Sequence, residues 1–109
     1  MKQRASKRSK MTDISKKTKT LVYERDRGLC VVCGRQGIPN AHYIPRSAGG
    51  LGIEQNLVCL CLECHNKFDF GDRETMDTIG NVIREYLKRQ YPDWNEEKLI
   101  YKKYDWSVV

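Results

Sequence analysis

The sequence predicts a single small α+β domain whose fold is completed by a bound metal ion. With 109 residues, 39% of them hydrophobic, the chain is long enough for one core but too short for two. A core of this size usually depends on disulfides, a metal or a partner. Two Cys-x-x-Cys pairs, one short apolar run and one long amphipathic segment provide the metal ligands, a strand and a helix.

The first 18 residues are predicted to form a flexible basic arm. Residues 1–20 contain eight Lys or Arg residues against the single acid Asp13, and the whole chain has a formal charge of +6. Such an arm attracts polyanions such as nucleic acid, and its candidate DNA contacts include Lys16 and Lys17. The alternative is a solvated tail that keeps the protein soluble.

The middle of the chain is predicted to hold a short helix over 20–26 and a buried strand over 57–60. Between them lies a short apolar segment over 41–44, which Pro45 ends. Three glycines within 46–52 indicate a loop. Residues 19–72 are expected to form the core of the domain.

Residues 73–109 are predicted to be a helical extension of the same domain. Apolar residues recur every three to four positions over 73–90, which indicates an amphipathic helix with Asp72 as a possible N-cap. Pro92 ends that helix. Asp93 then begins a capping-box pattern, which predicts a second helix that continues to about residue 104.

The cysteine spacing predicts a structural zinc site. Cys30 and Cys33 form one Cys-x-x-Cys pair, and Cys61 and Cys64 form the other. Two such pairs complete the tetrahedral thiolate shell that structural zinc prefers; the alternative is four reduced core cysteines. The fifth cysteine, Cys59, lies within the apolar run and is predicted to be a core residue.

Both histidines of the chain lie close to these cysteine pairs. His42 is followed by Pro45 and a Gly-Gly pair, and His65 directly follows Cys64. Between them stands Asn56-Leu-Val. This ordered series, with the two Cys-x-x-Cys pairs, resembles the HNH endonuclease family over about residues 20–70.

The resemblance implies a ββα-metal (His-Me finger) core on a treble-clef zinc framework, with C-terminal helices added. It implies that His42 is the general base that activates water, that Asn56 orients the loop and that His65 binds one catalytic divalent ion. It also implies hydrolysis of DNA phosphodiesters to 5′-phosphate and 3′-hydroxyl ends. An imidazole is a competent base near neutral pH, and a divalent ion stabilises a departing oxygen.

One position departs from the family pattern. Many relatives have a second metal ligand directly before the first histidine, where this chain has Ala41. Asp69, four residues after His65, would lie on the same face of a helix and is the candidate replacement. The alternative is an exposed carboxylate that is favourable near a helix N-terminus; Asn66 and Asp72 are weaker candidates for the ligand.

Further residues are candidate nucleic-acid contacts. Arg46 could hold a phosphate oxygen, and Lys67 is a weaker candidate of the same kind; for both, the alternative is a solvated cation. Four C-terminal aromatic residues could stack on bases, but packing of the C-terminal helices is the favoured interpretation. These residues are Trp94, Tyr101, Tyr104 and Trp106.

The sequence has no apolar run of the ~18 residues that a membrane span needs and no apolar N-terminal signal. A cytosolic or nuclear protein is therefore expected, and the resemblance to small free-standing HNH proteins implies the cytoplasm of a bacterial or phage-infected cell. The expected cofactors are structural Zn²⁺ and one catalytic ion (Mg²⁺, Mn²⁺, Ni²⁺ or Zn²⁺), and the partner is DNA, bound by a monomer or weak dimer. The alternatives are a zinc-dependent binding module without catalysis and a component of a packaging or restriction assembly.

Overall fold

The computed structural model describes residues 7–102, so Tyr104 and Trp106 lie outside the described range. The order of elements is α1 (Lys7–Thr12), α2 (Lys16–Arg25), β1 (Ile38–His42), β2 (Leu57–Leu60), α3 (Leu62–Phe70) and α4 (Arg73–Gln90), with 3₁₀ turns at Arg46–Ala48, Glu54–Asn56 and Glu96–Leu99. The predicted α+β class is confirmed, and β1, β2 and α3 follow the implied ββα order. Within the described range, no helix is both long enough and apolar enough for a membrane span.

The two strands form an antiparallel hairpin whose faces pack on different helices. Ala41 pairs with Val58 and His42 with Leu57, after a register irregularity between Ile38 and Ala41. All four residues of β2 are buried, and alternate residues of a strand face opposite sides. Val58 and Leu60 face α4 and pack with its buried apolar residues. Leu57 and Cys59 face α2 and pack on Val22.

Helices α3 and α4 each begin at a residue whose side chain accepts a hydrogen bond from the first turn of the helix, Cys61 for α3 and Asp72 for α4. The Cys61 sulfur accepts a hydrogen bond from the Cys64 backbone N–H at 3.4 Å, so α3 begins beside the second cysteine pair. Asp72 accepts from the Thr75 backbone N–H at 2.8 Å, which confirms the predicted cap of α4. The buried residues of α4 recur every four positions, as its amphipathic pattern predicted: Ile79, Ile83 and Leu87.

The N-terminal region differs from the predicted flexible arm. Residues 7–18 already contain α1 and the start of α2, and the boundary expected after residue 18 falls inside α2. The Ser15 side chain caps α2 by accepting from the Thr18 backbone N–H at 3.1 Å. Val22 is fully buried and Thr12 is 3% exposed. Capping and burial of these few residues stabilise a segment whose composition alone indicated a mobile chain.

The second C-terminal helix is not formed within the described residues. Asn95, rather than Asp93, is the cap, and it begins only the 3₁₀ turn Glu96–Leu99. The chain then becomes extended, because Ile100 forms a β-bridge with Gly50. The residues after Leu99 therefore pair with the loop between the two strands and do not continue the 3₁₀ turn as a helix. Trp94 packs as predicted: its ring lies edge-on to Tyr43, with 5.7 Å between the centroids.

A buried ion pair ties α2 to the sheet and to α4. The Asp26 carboxylate accepts from Arg25 Nε at 2.7 Å, from the Cys59 backbone N–H at 2.8 Å and from the Tyr86 hydroxyl. Arg25 in turn donates to the Leu57 carbonyl at 2.6 Å. Because a buried charge is tolerated only when it is paired and hydrogen-bonded, this network fixes α2 against β2.

Candidate active site

The four paired cysteines converge on one point. The sulfur atoms of Cys30, Cys33, Cys61 and Cys64 all lie within 4.8 Å of one another, and those of Cys33 and Cys61 are 3.6 Å apart. Zinc–sulfur bonds of about 2.3 Å place two tetrahedral sulfurs about 3.8 Å apart. The cluster therefore fits a zinc ion, and the four cysteines converge as their spacing predicted.

Backbone amides favour the thiolate form of one cysteine of the cluster, Cys30. Burial acts to raise the pKa of Cys30, but backbone N–H groups, those of Cys61 and Cys33 among them, lower it to about 7. Zinc binds the thiolate. By contrast, burial raises the pKa of Cys59 to about 12, and this residue packs with Val22 and Leu57 away from the cluster. Cys59 is therefore a core residue, as predicted.

A cavity of about 520 Å³ brings together four of the predicted site residues. His42 enters it from the end of β1, Arg46 from the following turn, and His65 and Asp69 from α3. The cavity is also lined by Asn40, Pro45, Ser47, Phe68, Phe70 and Met76. Two imidazoles, one carboxylate and one guanidinium thus share a single open pocket.

His42 has the protonation state that a general base needs. Its Nε2 lies 2.9 Å from the Thr12 carbonyl oxygen. A carbonyl can only accept, so Nε2 donates the hydrogen and the lone pair of the neutral ring is on Nδ1. Burial lowers the pKa of His42, and the positive charge of Arg46 lowers it further. These two effects outweigh the hydrogen bond with the Thr12 carbonyl, which raises the pKa, and they favour the neutral ring.

His65 and Asp69 contact each other on α3. His65 Nε2 lies 3.1 Å from Asp69 Oδ2, one helical turn apart on α3. Neighbouring ligands of an octahedral ion with bonds near 2.1 Å are about 3 Å apart. The predicted placement of these two side chains on one face of α3 agrees with the structure, and the pair is open to the cavity.

Asn56 does not line the cavity, but it holds the loop that carries Arg46. It is fully buried, and its Oδ1 accepts from the Ile44 backbone N–H at 2.8 Å. Its Nδ2 donates to the carbonyls of Ile44 at 3.1 Å and Leu51 at 2.9 Å. One side chain thus closes both ends of the loop that carries Arg46, which agrees with the loop-orienting role implied for it.

Comparison with known families matches this same part of the chain. Residues 30–68 match the family model HNH, described as HNH endonuclease. These residues form an HNH segment. It includes both cysteine pairs, His42, Asn56 and His65, and Asp69 directly follows it. The predicted resemblance is confirmed, and it suggests a nuclease that acts on DNA. No curated protein matches the chain.

Ala41, at the position where many relatives have a second metal ligand, does not line the cavity. Ala41 is fully buried and packs in the core with Val58, whereas Asn40 and His42 line the pocket. Alternation along β1 explains this, since neighbouring residues face opposite sides of a strand. The weaker ligand candidates are also outside the lining: Asn66 is absent from it, and Asp72 caps α4.

Of the four basic residues predicted to contact DNA, only Arg46 lines the cavity. Arg46 lines it, but its guanidinium is paired with the Asp13 carboxylate. Lys67 does not line it and lies 3.1 Å from Glu63 on the outer face of α3. Lys16 and Lys17 are exposed on α2, away from the lining residues.

Sequence reasoning missed three contributors to the site. Lys19 lines a second cavity next to the first, together with Asp13, His42 and Arg46. Thr12 contributes its carbonyl to His42, and Phe70 lines the first cavity. A sequence does not show where a backbone carbonyl will lie. The basic residues of positions 1–20 also cannot be told apart until α2 places Lys19 at the second cavity.

Proposed function

We propose that the protein is a metal-dependent DNA endonuclease with its active site in the cavity between β1 and α3. The observation that carries this proposal is the placement of the His42 base and the His65–Asp69 pair in one open pocket of the HNH segment. A base and a metal-ligand pair facing one space are the two parts that metal-assisted phosphodiester hydrolysis requires.

In the proposed reaction, Nδ1 of His42 takes a proton from the attacking water while the water oxygen bonds to phosphorus. The bond from phosphorus to the 3′ oxygen breaks, and that oxygen takes a proton from solvent water, which leaves a 5′-phosphate and a 3′-hydroxyl. A divalent ion held by His65 and Asp69 would neutralise charge on the phosphate and stabilise the departing oxygen. Asn56 holds the loop, and Arg46 contacts a phosphate oxygen once Asp13 releases it.

The structural Zn²⁺ would hold the loop before β1 against the start of α3, so that the two halves of the site keep their spacing. Lys16, Lys17 and Lys19 of α2 would contact backbone phosphates, with Lys67 a weaker contact on α3. A cytoplasmic location and a monomeric or weakly dimeric state belong to the same proposal. A component of a packaging or restriction assembly stays an alternative to it.

A zinc-dependent DNA-binding module without catalysis is the second candidate. Ala41 favours it, because a methyl side chain cannot ligate an ion and only His65 and Asp69 remain as proposed ligands. The cationic residues around the cavity would then bind DNA without cutting it.

A supercoiled-plasmid assay on zinc-loaded protein separates the two candidates. We expect nicking or linearisation that needs added Mg²⁺, Mn²⁺ or Ni²⁺ and that disappears in His42→Ala and Asp69→Asn, with zinc content and circular dichroism unchanged. Cleavage by a folded His42→Ala protein at the wild-type rate would overturn the proposed mechanism. Plasmid binding without cleavage in any of these metals would favour the binding module.

A further inference from the structure

The candidate active-site cavity has an apolar part that the proposed chemistry does not use. Pro45, Phe68, Phe70 and Met76 line it. Phe70 is 84% exposed, more than any other large hydrophobic residue in the described range. Phe68, two residues earlier, packs against the core. Helix α3 therefore half-buries one of its two aromatic rings and leaves the other in solvent, in the same cavity as the His65–Asp69 pair.

The backbone that carries Phe70 is held in place. Phe70 is the last residue of α3, and the Gly71 N–H donates to the Lys67 carbonyl at 3.0 Å. A Cβ at position 71 would lie 2.3 Å from that carbonyl oxygen, so the close approach requires glycine. An exposed aromatic ring on a fixed backbone loses little conformational entropy when a ligand covers it.

The basic residues near His42 indicate that a ligand of this cavity carries an anionic group as well as an apolar one. Arg46 and Lys19 border the two adjoining cavities around His42. A ligand that suits both parts has an anionic group and a flat apolar group within a few ångströms of each other. A nucleotide of DNA has this composition, because its phosphate would meet the cations and its base has a face that stacks on aromatic rings.

In an intact duplex, each base is covered on both faces by its neighbours, so a protein ring can stack only where a base leaves the stack. We infer that Phe70 stacks on an unstacked nucleobase next to the scissile phosphate, and that the preferred substrate is DNA with an unpaired base at that position. This inference rests on the proposed function, since the same cavity holds the cleavage chemistry.

The test compares wild type with Phe70→Ala on a single-stranded oligonucleotide, a fully paired duplex and a single-stranded oligonucleotide with one abasic position next to the cut. We expect Phe70→Ala to raise the KM for the single strand about tenfold and Phe70→Trp to restore it. On the abasic oligonucleotide, the two proteins should have the same KM. Wild type should also cleave the single strand with a higher kcat/KM than the duplex.

Leu62→Ala is the matched control, because Leu62 is 71% exposed at the other end of α3 and does not line the cavity. It should leave every KM unchanged. Equal KM values for Phe70→Ala and wild type on the single strand would overturn the inference, as would an equal loss for Leu62→Ala.

Failure of the proposed function gives a different result, namely no cleavage of any oligonucleotide by wild type. The stacking is then read from binding in Ca²⁺, with 2-aminopurine as the base beside the cut position. Fluorescence quenching by wild type that is reduced in Phe70→Ala supports the stacking. Identical quenching by the two proteins contradicts it.

Discussion

The Thr12 carbonyl oxygen and His42 Nε2 lie 2.9 Å apart, so a residue thirty positions before the proposed base fixes its ring orientation. Two further contacts hold this N-terminal segment on the site. The Gly52 N–H donates to the Met11 carbonyl at 3.0 Å, and Arg8 donates to the Ser47 carbonyl at 2.9 Å. The segment Arg8–Asp13 is therefore part of the site and not a free arm.

Gly52→Ala tests the importance of this contact for activity. A Cβ at position 52 would lie 2.0 Å from the Asp13 carbonyl oxygen and 3.0 Å from that of Thr12, so the segment must move away from His42. A displacement of this size should lower kcat roughly 10-fold to 100-fold, measured on a labelled oligonucleotide. The control is Gly80→Ala, where the Cβ would lie 3.4 Å from the Phe68 ring; a wild-type kcat for Gly52→Ala would contradict this role.

Asp13 limits the charge that Arg46 offers to DNA, because the two side chains are paired. Asp13→Asn should release the guanidinium to a phosphate, so that DNA binding tightens and the plot of log K against log salt steepens by about one. Asp93→Asn changes the net charge equally on an exposed residue away from the cavity, and it should not alter the slope. Identical slopes for both variants would exclude the competition between Asp13 and phosphate.

Removal of one zinc ligand should unfold the domain. Cys61→Ser removes a thiolate from the cluster and changes the residue that caps α3, so we expect loss of the metal together with much of the helical circular dichroism. Cys59→Ala, which changes a core cysteine outside the cluster, should keep one zinc per chain. A folded Cys61→Ser protein with full zinc content would contradict the structural role of the cluster.

The features that the sequence predicted correctly are those encoded by neighbours or by fixed spacing. Asp72 caps α4 through Thr75, three residues away, and the cysteine pairs need only a two-residue gap to share an ion. Contacts between distant parts of the chain were missed. The Thr12 carbonyl on His42 depends on the packing of α1, and the residues after Leu99 become extended because Ile100 pairs with Gly50. Tertiary pairing of this kind outweighs local helix propensity and leaves no periodic pattern in the sequence.

The pH dependence of cleavage should report the environment of His42. Burial lowers its pKa, and Arg46 lowers it further, so the acid limb of the kcat/KM profile should lie below the usual histidine value of about 6.5. Activity should rise with pH through that limb, because only the neutral ring can take the proton. Arg46→Gln removes a nearby positive charge, so the limb should shift to higher pH, whatever the change in overall rate.

Arg35→Gln is the control for this shift, since Arg35 is exposed, lies 3.0 Å from Glu63 and does not line the cavity. Its profile should coincide with that of wild type. Zinc content is measured at each pH, because the thiolate ligands bind protons in acid and would release the ion. An acid limb that stays in place in Arg46→Gln, with zinc retained, would mean that Arg46 does not act on the group that limits cleavage at low pH.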